Sequence, residues 1–361
     1  MIDLRVISLF MAVLHFAVLA NERLQLIHAG IAELIKVNGR EIRELKKDVF
    51  FRQGDAYMRC QRALFDVDRD YLTLYQEVEI DDGKHCICGD RVTYEGPEKI
   101  ERAFGNVHLT QEGQLLTADS VVYHQKTQEA HAVGNVHMTD FVEKATLTAQ
   151  DVRYDRITDY GVATGNPQII KQDTSSRDSL MIIGKKMQIW GEQQLAIVSD
   201  SVKINKGNMK AYCRYAKFFT DQEKLFLYES PRMIEQNRHI SGDSIQIQLN
   251  ASDFESGIVW GNAVVTSKDS IYENVLTGKL ITMSTEQDSI RTVIVDHQAE
   301  NLYHVFNDNG EMEGINNING DRIIIKFNKK KLKYVRVESD PGKSLGKFVP
   351  SGITKTEKES R

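Results

Sequence analysis

Two cysteines two residues apart, a recurring aspartate and two equivalent histidines are the side chains of this chain whose types invite chemistry. Cys86 and Cys88 follow His85 and share one face if the segment is extended. Such a pair suits a soft metal ion or a disulfide. An i,i+2 disulfide strains the bridge geometry, and the lone pair lacks the second half of a zinc site; His85 does not complete it. No metal site is expected. Asp90, Asp119, Asp243 and Asp321 are of the type that glycan-processing enzymes pair across a groove. They occupy one repeat position, however, and a catalytic residue should break a repeat, not follow it. His108 and His137 lie one repeat apart. Their neighbours Val107, Leu109, Val136 and Met138 claim the interior, which puts both imidazoles on the outer face. The same column goes on as Gln168, Lys203 and Arg232, a solvated ladder and not a ligand set. The sequence holds no glycine-rich phosphate loop, no nucleophile elbow and no His-Glu-x-x-His. No catalytic residue and no cofactor are expected.

These side chains belong to a larger pattern. A small residue followed by two alternating apolar ones starts at Ala29, Cys60, Gly89, Ala118, Ala149, Gly184, Cys213, Gly242, Gly278 and Gly320, at intervals of 29 to 42 residues. Self-similarity with a period of about thirty marks stacked repeats. The fourth positions include Val92, Val121, Val152, Met187 and Ile245; the sixth include Tyr94, Tyr123, Tyr154, Ile189, Phe218, Ile247, Met283 and Ile325. Neither column contains a charged residue. Alternation of period two predicts a strand with one buried face. A second strand follows in most units, with Val107 and Leu109 or Val136 and Met138 as its inward pair. It opens on Gly105-Asn106, Gly134-Asn135, Gly165-Asn166 or Gly261-Asn262, a turn or bulge signal because both residue types tolerate φ > 0. Thirty residues are thus two strands and two turns. The fold class is all-β: an elongated open β-jelly roll or β-solenoid whose stacked units line one interior.

The chain of 361 residues could hold two or three ordinary domains, but the unbroken repeat argues for one body over 21–337. Longer intervals mark insertions at Lys171–Leu180 and Asn307–Asn319, with a waist near 171–180. The polar tail 338–361 reads as disordered. Met1–Ala20 has Arg5, an apolar Val6–Ala20, and Val18 and Ala20 at the −3 and −1 positions of a cleavage site, the marks of a secretory signal peptide and a periplasmic destination. An uncleaved anchor is the alternative, though the run is short for a membrane span. Cys60 and Cys213 stand where other units have Ala or Gly, so they read as small buried side chains. The net charge of −5 and the lack of a basic-aromatic platform give no sign of a nucleic-acid partner. The basic run Lys326, Lys329, Lys330, Lys331, Lys333 and Arg336 reads as charge that keeps an edge strand soluble, with contact to phosphate groups as the alternative. The columns themselves admit two readings: a packed core, or a partly closed interior that accepts an extended apolar ligand.

Ala118-Asp119-Ser120-Val121-Val122-Tyr123, then Ala132 to Thr139, then Ala149-Gln150-Asp151-Val152-Arg153-Tyr154 is similar to the OstA/LptA repeat. Leu26-Ile27-His28-Ala29 and Val49 to Cys60 resemble the OstA-like proteins of Bacteroidetes in particular, and the family also includes the N-terminal domain of LptD. The resemblance covers most of Leu24–Val337. It implies a non-enzymatic periplasmic protein that holds the acyl chains of lipopolysaccharide in its interior. The lipid-binding residues would then be Val92, Tyr94, Val107, Leu109, Val121, Tyr123, Val136, Met138, Val152, Tyr154, Met187, Ile189, Phe218, Ile245 and Ile247. It further implies LptC-like and LptD-like export partners and end-to-end homo-oligomers. A structural or adhesive solenoid with a filled interior is the competing reading, and a glycan-active enzyme a third.

Overall fold

The alternating segments do form strands. The computed structural model describes residues 24–111, 113–172, 179–235, 237–250, 253–269, 272–286, 289–307, 309–328 and 331–351; the expected secretory signal lies outside them. Among the described residues there are 26 strands and no helix, and the described strand pairs are antiparallel, each mostly with its neighbour in sequence. The fold is all-β and jelly-roll-like. The described residues divide into two compact units, 24–199 and 200–351.

Strands of both units break their own period once, at mid-length. In Ala145–Asp155 the buried side chains are Ala145, Leu147 and Ala149, and then Val152 and Tyr154. The step from 149 to 152 is odd, so the strand must shift phase there to keep both halves facing inward. The neighbouring strand supplies the cause. Gly134 and Asn135, in Glu129–Asp140, have φ of 79° and 47°, and the register shifts between Ala149 and Asp151. Two consecutive left-handed residues make a bulge that bends the strand and lets its halves lie in different layers. Such pairs recur nine times among the described residues, from Lys47-Asp48 through Gly105-Asn106 and Glu229-Ser230 to His297-Gln298. Where the break is complete, one strand becomes two, as in Tyr160–Thr164 and Gln168–Gln172.

The small-residue column follows from the same bend. A Cβ on Gly184 would stand 2.4 Å from Val198 Cγ1, and one on Gly278 2.3 Å from Val295 Cγ1. The next strand's valine leans into these two positions, so only glycine fits there without a shift. Turns then stack along each unit: Gly96 N–H donates to Asp70 O at 2.8 Å and Gln125 N–H to Lys99 O at 3.0 Å.

The insertion Asn307–Asn319 runs into the strand Met312–Asn328, of 17 residues. One expectation needs correction. The tail 338–361 is not wholly disordered, because Leu345–Pro350 pairs with Met312–Asn328 from Asn319↔Leu345 to Gly314↔Pro350. An open sheet edge offers unpaired N–H and C=O groups to the chain that follows, and a segment can bond there through its backbone alone. All six residues of that strand are exposed.

Candidate functional site

Thirteen of the fifteen predicted interior residues are buried; Tyr94 and Phe218 are half-buried. Each comes from the inward face of a strand half. Val107, Val121, Met138 and Val152 show 0–1% of their surface. A side chain with no accessible surface borders no water-sized void, connected to solvent or not. Around these four the interior is therefore filled, at the density usual for protein cores.

Open volume exists elsewhere: among residues 24–199 a pocket of about 570 Å³ is lined by His131, Arg153, Tyr154 and Tyr160. In residues 200–351 a cavity of about 360 Å³ lies between the halves of the long strands Asp253–Asp269, Tyr272–Glu286, Ser289–Phe306 and Met312–Asn328. Val265, Leu276 and Tyr303 line it from one half; Met283, Val293, Ile325 and Val335 line it from the other. None of the fifteen predicted residues touches it, although Met283 and Ile325 belong to the sixth-position column. Polar groups gather at one end. Arg238 Nη1 and Glu235 Oε2 stand 3.7 Å apart, and Asn237 and Asn274 share the lining. Asn274 is fixed by the His304 backbone, whose N–H donates to its Oδ1 at 2.9 Å. An apolar chamber with a few polar groups at its mouth is the usual form of a site for an amphipathic ligand.

Sequence reasoning missed Leu276, Val293, Phe327, Leu332 and Val335. A signal was present in the intervals of 36 and 42 residues after Gly242 and Gly278. Extra length there carries the strands beyond the rows that fill themselves.

The residues that invited chemistry are placed as follows. Asp90, Asp119 and Asp243 sit over the left-handed pairs, where Asn106, Asn135 and Asn262 donate to them at 3.1 Å. Their carboxylates therefore hold bulges. Asp321 Oδ2 accepts from the Asp340 backbone N–H at 3.2 Å. His108, His137, Lys203 and Arg232 are exposed as expected, and Gln168 is half-buried. Cys60 and Cys213 are buried, and burial pushes each thiol up to about 11, which makes them inert fillers of the small-residue column. Cys86 and Cys88 are free thiols with sulfurs 3.7 Å apart. Within the basic run, Lys326 stands over the Tyr334 ring at 5.9 Å and Arg336 pairs with Glu338 at 3.0 Å; Lys329 and Lys330 lie outside the described residues.

Residues 21–102 match the family of OstA-like proteins. Residues 97–253 match the LptA/(LptD N-terminal domain) LPS transport protein family. No curated protein matches the chain. Among solved structures, the LptA-homologous periplasmic component LptH of the lipopolysaccharide transport device from Pseudomonas aeruginosa is similar over 34% of this chain and 94% of its own. The identity is 16% and the TM-score 0.31. The repeat, the bulged strands and the two adjoining family matches agree, and residues 21–253 are OstA/LptA-like, of the kind found in lipopolysaccharide-transport proteins.

Proposed function

We propose that this protein is a periplasmic, non-enzymatic carrier that shields lipopolysaccharide acyl chains from water and joins LptC-like and LptD-like components of the export path. The observation that carries the reading is the apolar cavity of about 360 Å³ inside a fold whose interior is otherwise formed by uncharged columns. Each CH2 moved from water into it is worth about 0.8 kcal/mol. Sugars and phosphates would stay outside, near the polar end at Arg238 and Asn237. Among the described residues no helix is long and apolar enough to cross a membrane. The exposed strands Gln25–His28 and Leu345–Pro350 supply backbone edges for end-to-end pairing with partners or with further copies.

The interior columns of residues 24–199 would join this path only if their side chains moved apart. Their filled state favours the second reading, a structural solenoid, for that unit. Photocrosslinking separates the two. Probes at Leu276 and Phe327 should capture lipopolysaccharide, probes at Tyr123 and Tyr154 should capture it less, and an outward probe at His137 should not. Equal labelling at all five, or none, would sink the carrier reading.

A further inference from the structure

We propose that Cys86 and Cys88, with Glu79 and Asp81 of the adjacent strand, form a binding site for a thiophilic divalent cation, zinc above all. Sequence alone gave the cysteine pair no second half. Strand pairing gives it one: in the pair Tyr71–Asp81 with His85–Glu95, Asp81 stands opposite Cys86 and Glu79 opposite Cys88. The four side chains make a two-by-two square on the outer face of the sheet, all half-buried.

Three of the four ligand atoms, those of Glu79, Asp81 and Cys86, lie within 4.8 Å of one another, and Cys88 joins them through Cys86. Cys86 Sγ is 3.7 Å from Cys88 Sγ; two thiolates at tetrahedral angles on zinc, each with a bond of about 2.3 Å, stand about 3.8 Å apart. Tyr57 holds the carboxylates in place, its hydroxyl donating to Asp81 Oδ2 at 3.1 Å and Glu79 Oε1 at 3.3 Å, the outer-shell support that ligating groups need. The nearest basic side chain across the sheet does not neutralise them. Arg59, opposite Glu79, places its guanidinium 5.3 Å from the centres of both the Phe50 and Tyr57 rings. Neither carboxylate makes an ion pair among the described residues. Binding would break both S–H bonds, form two S–metal bonds and release two protons to solvent, so affinity should fall as pH falls. A mixed sulfur and oxygen set with no octahedral cage favours zinc over magnesium or calcium.

The test uses the full chain, reduced and metal-free, titrated with Co2+ and then Zn2+. Thiolate-to-cobalt charge-transfer absorption should rise to one equivalent and vanish on adding zinc. Cys86→Ser and Cys88→Ser should each lose it, Cys60→Ala and Cys213→Ala should keep it, and Tyr57→Phe should weaken binding roughly tenfold. In the unmutated chain, zinc should slow alkylation of Cys86 and Cys88, mapped by peptide. Absence of the band in the unmutated chain, or its survival in either Cys86→Ser or Cys88→Ser, overturns the site. So does alkylation that zinc does not slow.

Discussion

Residues 24–199 and residues 200–351 are built from the same repeat, yet the central rows of the first are closed and its open volume is a pocket of about 570 Å³ beside His131, Arg153, Tyr154 and Tyr160, whereas the second holds an apolar chamber of about 360 Å³. In the first unit most strands after Arg40–Gln53 have 11 or 12 residues, and Leu116, Met138 and Leu147 have no accessible surface. In the second, the strands from Asp253 to Asn328 have 15 to 18 residues. Their central rows, Ile281, Val295 and Ile323, are equally shut, but Leu276, Val293 and Ile325 farther out flank the cavity. Column chemistry is thus the same for core and container. What separates them is how far the paired half-strands run past the bulge before large side chains meet.

That contrast is broken most directly by truncation. Leu147→Ala removes a fully enclosed side chain and should cost about 2–5 kcal/mol. Leu276→Ala enlarges a space that already exists and should cost about 1–2 kcal/mol. Urea unfolding of the two variants checks the difference. Equal costs would show that both interiors are equally packed.

Filling gives the next effect. Val293→Trp adds bulk where there is room, and should leave the unfolding midpoint nearly unchanged while excluding acyl carbons. Two excluded CH2 groups, at about 0.8 kcal/mol each, weaken lipid A retention roughly tenfold. Val121→Trp, in the closed rows of the first unit, should instead destabilise by about 1–3 kcal/mol. Lipid retention measured beside stability distinguishes the outcomes; a Val293→Trp variant that retains lipid A fully would place the ligand elsewhere.

The bulges give a smaller contrast, of opposite sign. Gly134→Ala puts a Cβ at φ 79°, 2.1 Å from Asp119 Oδ2, and should lose more than about 1 kcal/mol. Glu229→Gly relieves a left-handed φ of 61° on a residue that resists it and should gain about 1 kcal/mol. Thermal unfolding reads both.

These bulges also show what was legible. Gly134-Asn135 announces a left-handed pair through residue type, and alternation in Gln114–His124 marks Leu116, Ala118, Val121 and Tyr123 as buried, as they are. Gln76-Glu77 adopts the same conformation with no such propensity, and Lys47-Asp48 and His297-Gln298 have only one residue each that tolerates it. Stacking against bulged neighbours imposes it, and a tertiary constraint leaves no local mark. The Cys86–Asp81 square was hidden for a related reason: its halves come from two strands, and pairing register is set by the turn Asp82–Lys84, not by either strand's composition. The cavity was illegible in another way. Volume depends on what faces Leu276 across the interior, and a column lists only one side of that meeting.

The smallest effect is one of pH, and it is confined to one unit. Glu44, with a side chain only 7% exposed, lies 2.9 Å from Lys46 Nζ and 2.7 Å from Arg62 Nε. The hydrogen bond from Lys46, with those of Arg62 and the charge of both, holds its carboxyl below the ordinary value of 4.5 against the opposing pull of burial. A folded-state value below the unfolded one means the contribution is whole above pH 4.5 and is lost as pH falls through the lower folded value. Glu44→Gln should therefore lower stability slightly at neutral pH and flatten its decline in acid. Amide exchange in Arg40–Gln53 and Ala56–Asp66, followed from neutral pH to below 4.5, should accelerate in the unmutated chain more than in Glu44→Gln, while Ser289–Phe306 responds alike in both. An acid response shared by both units of the unmutated chain and untouched by the substitution would mean that Glu44 does not set it.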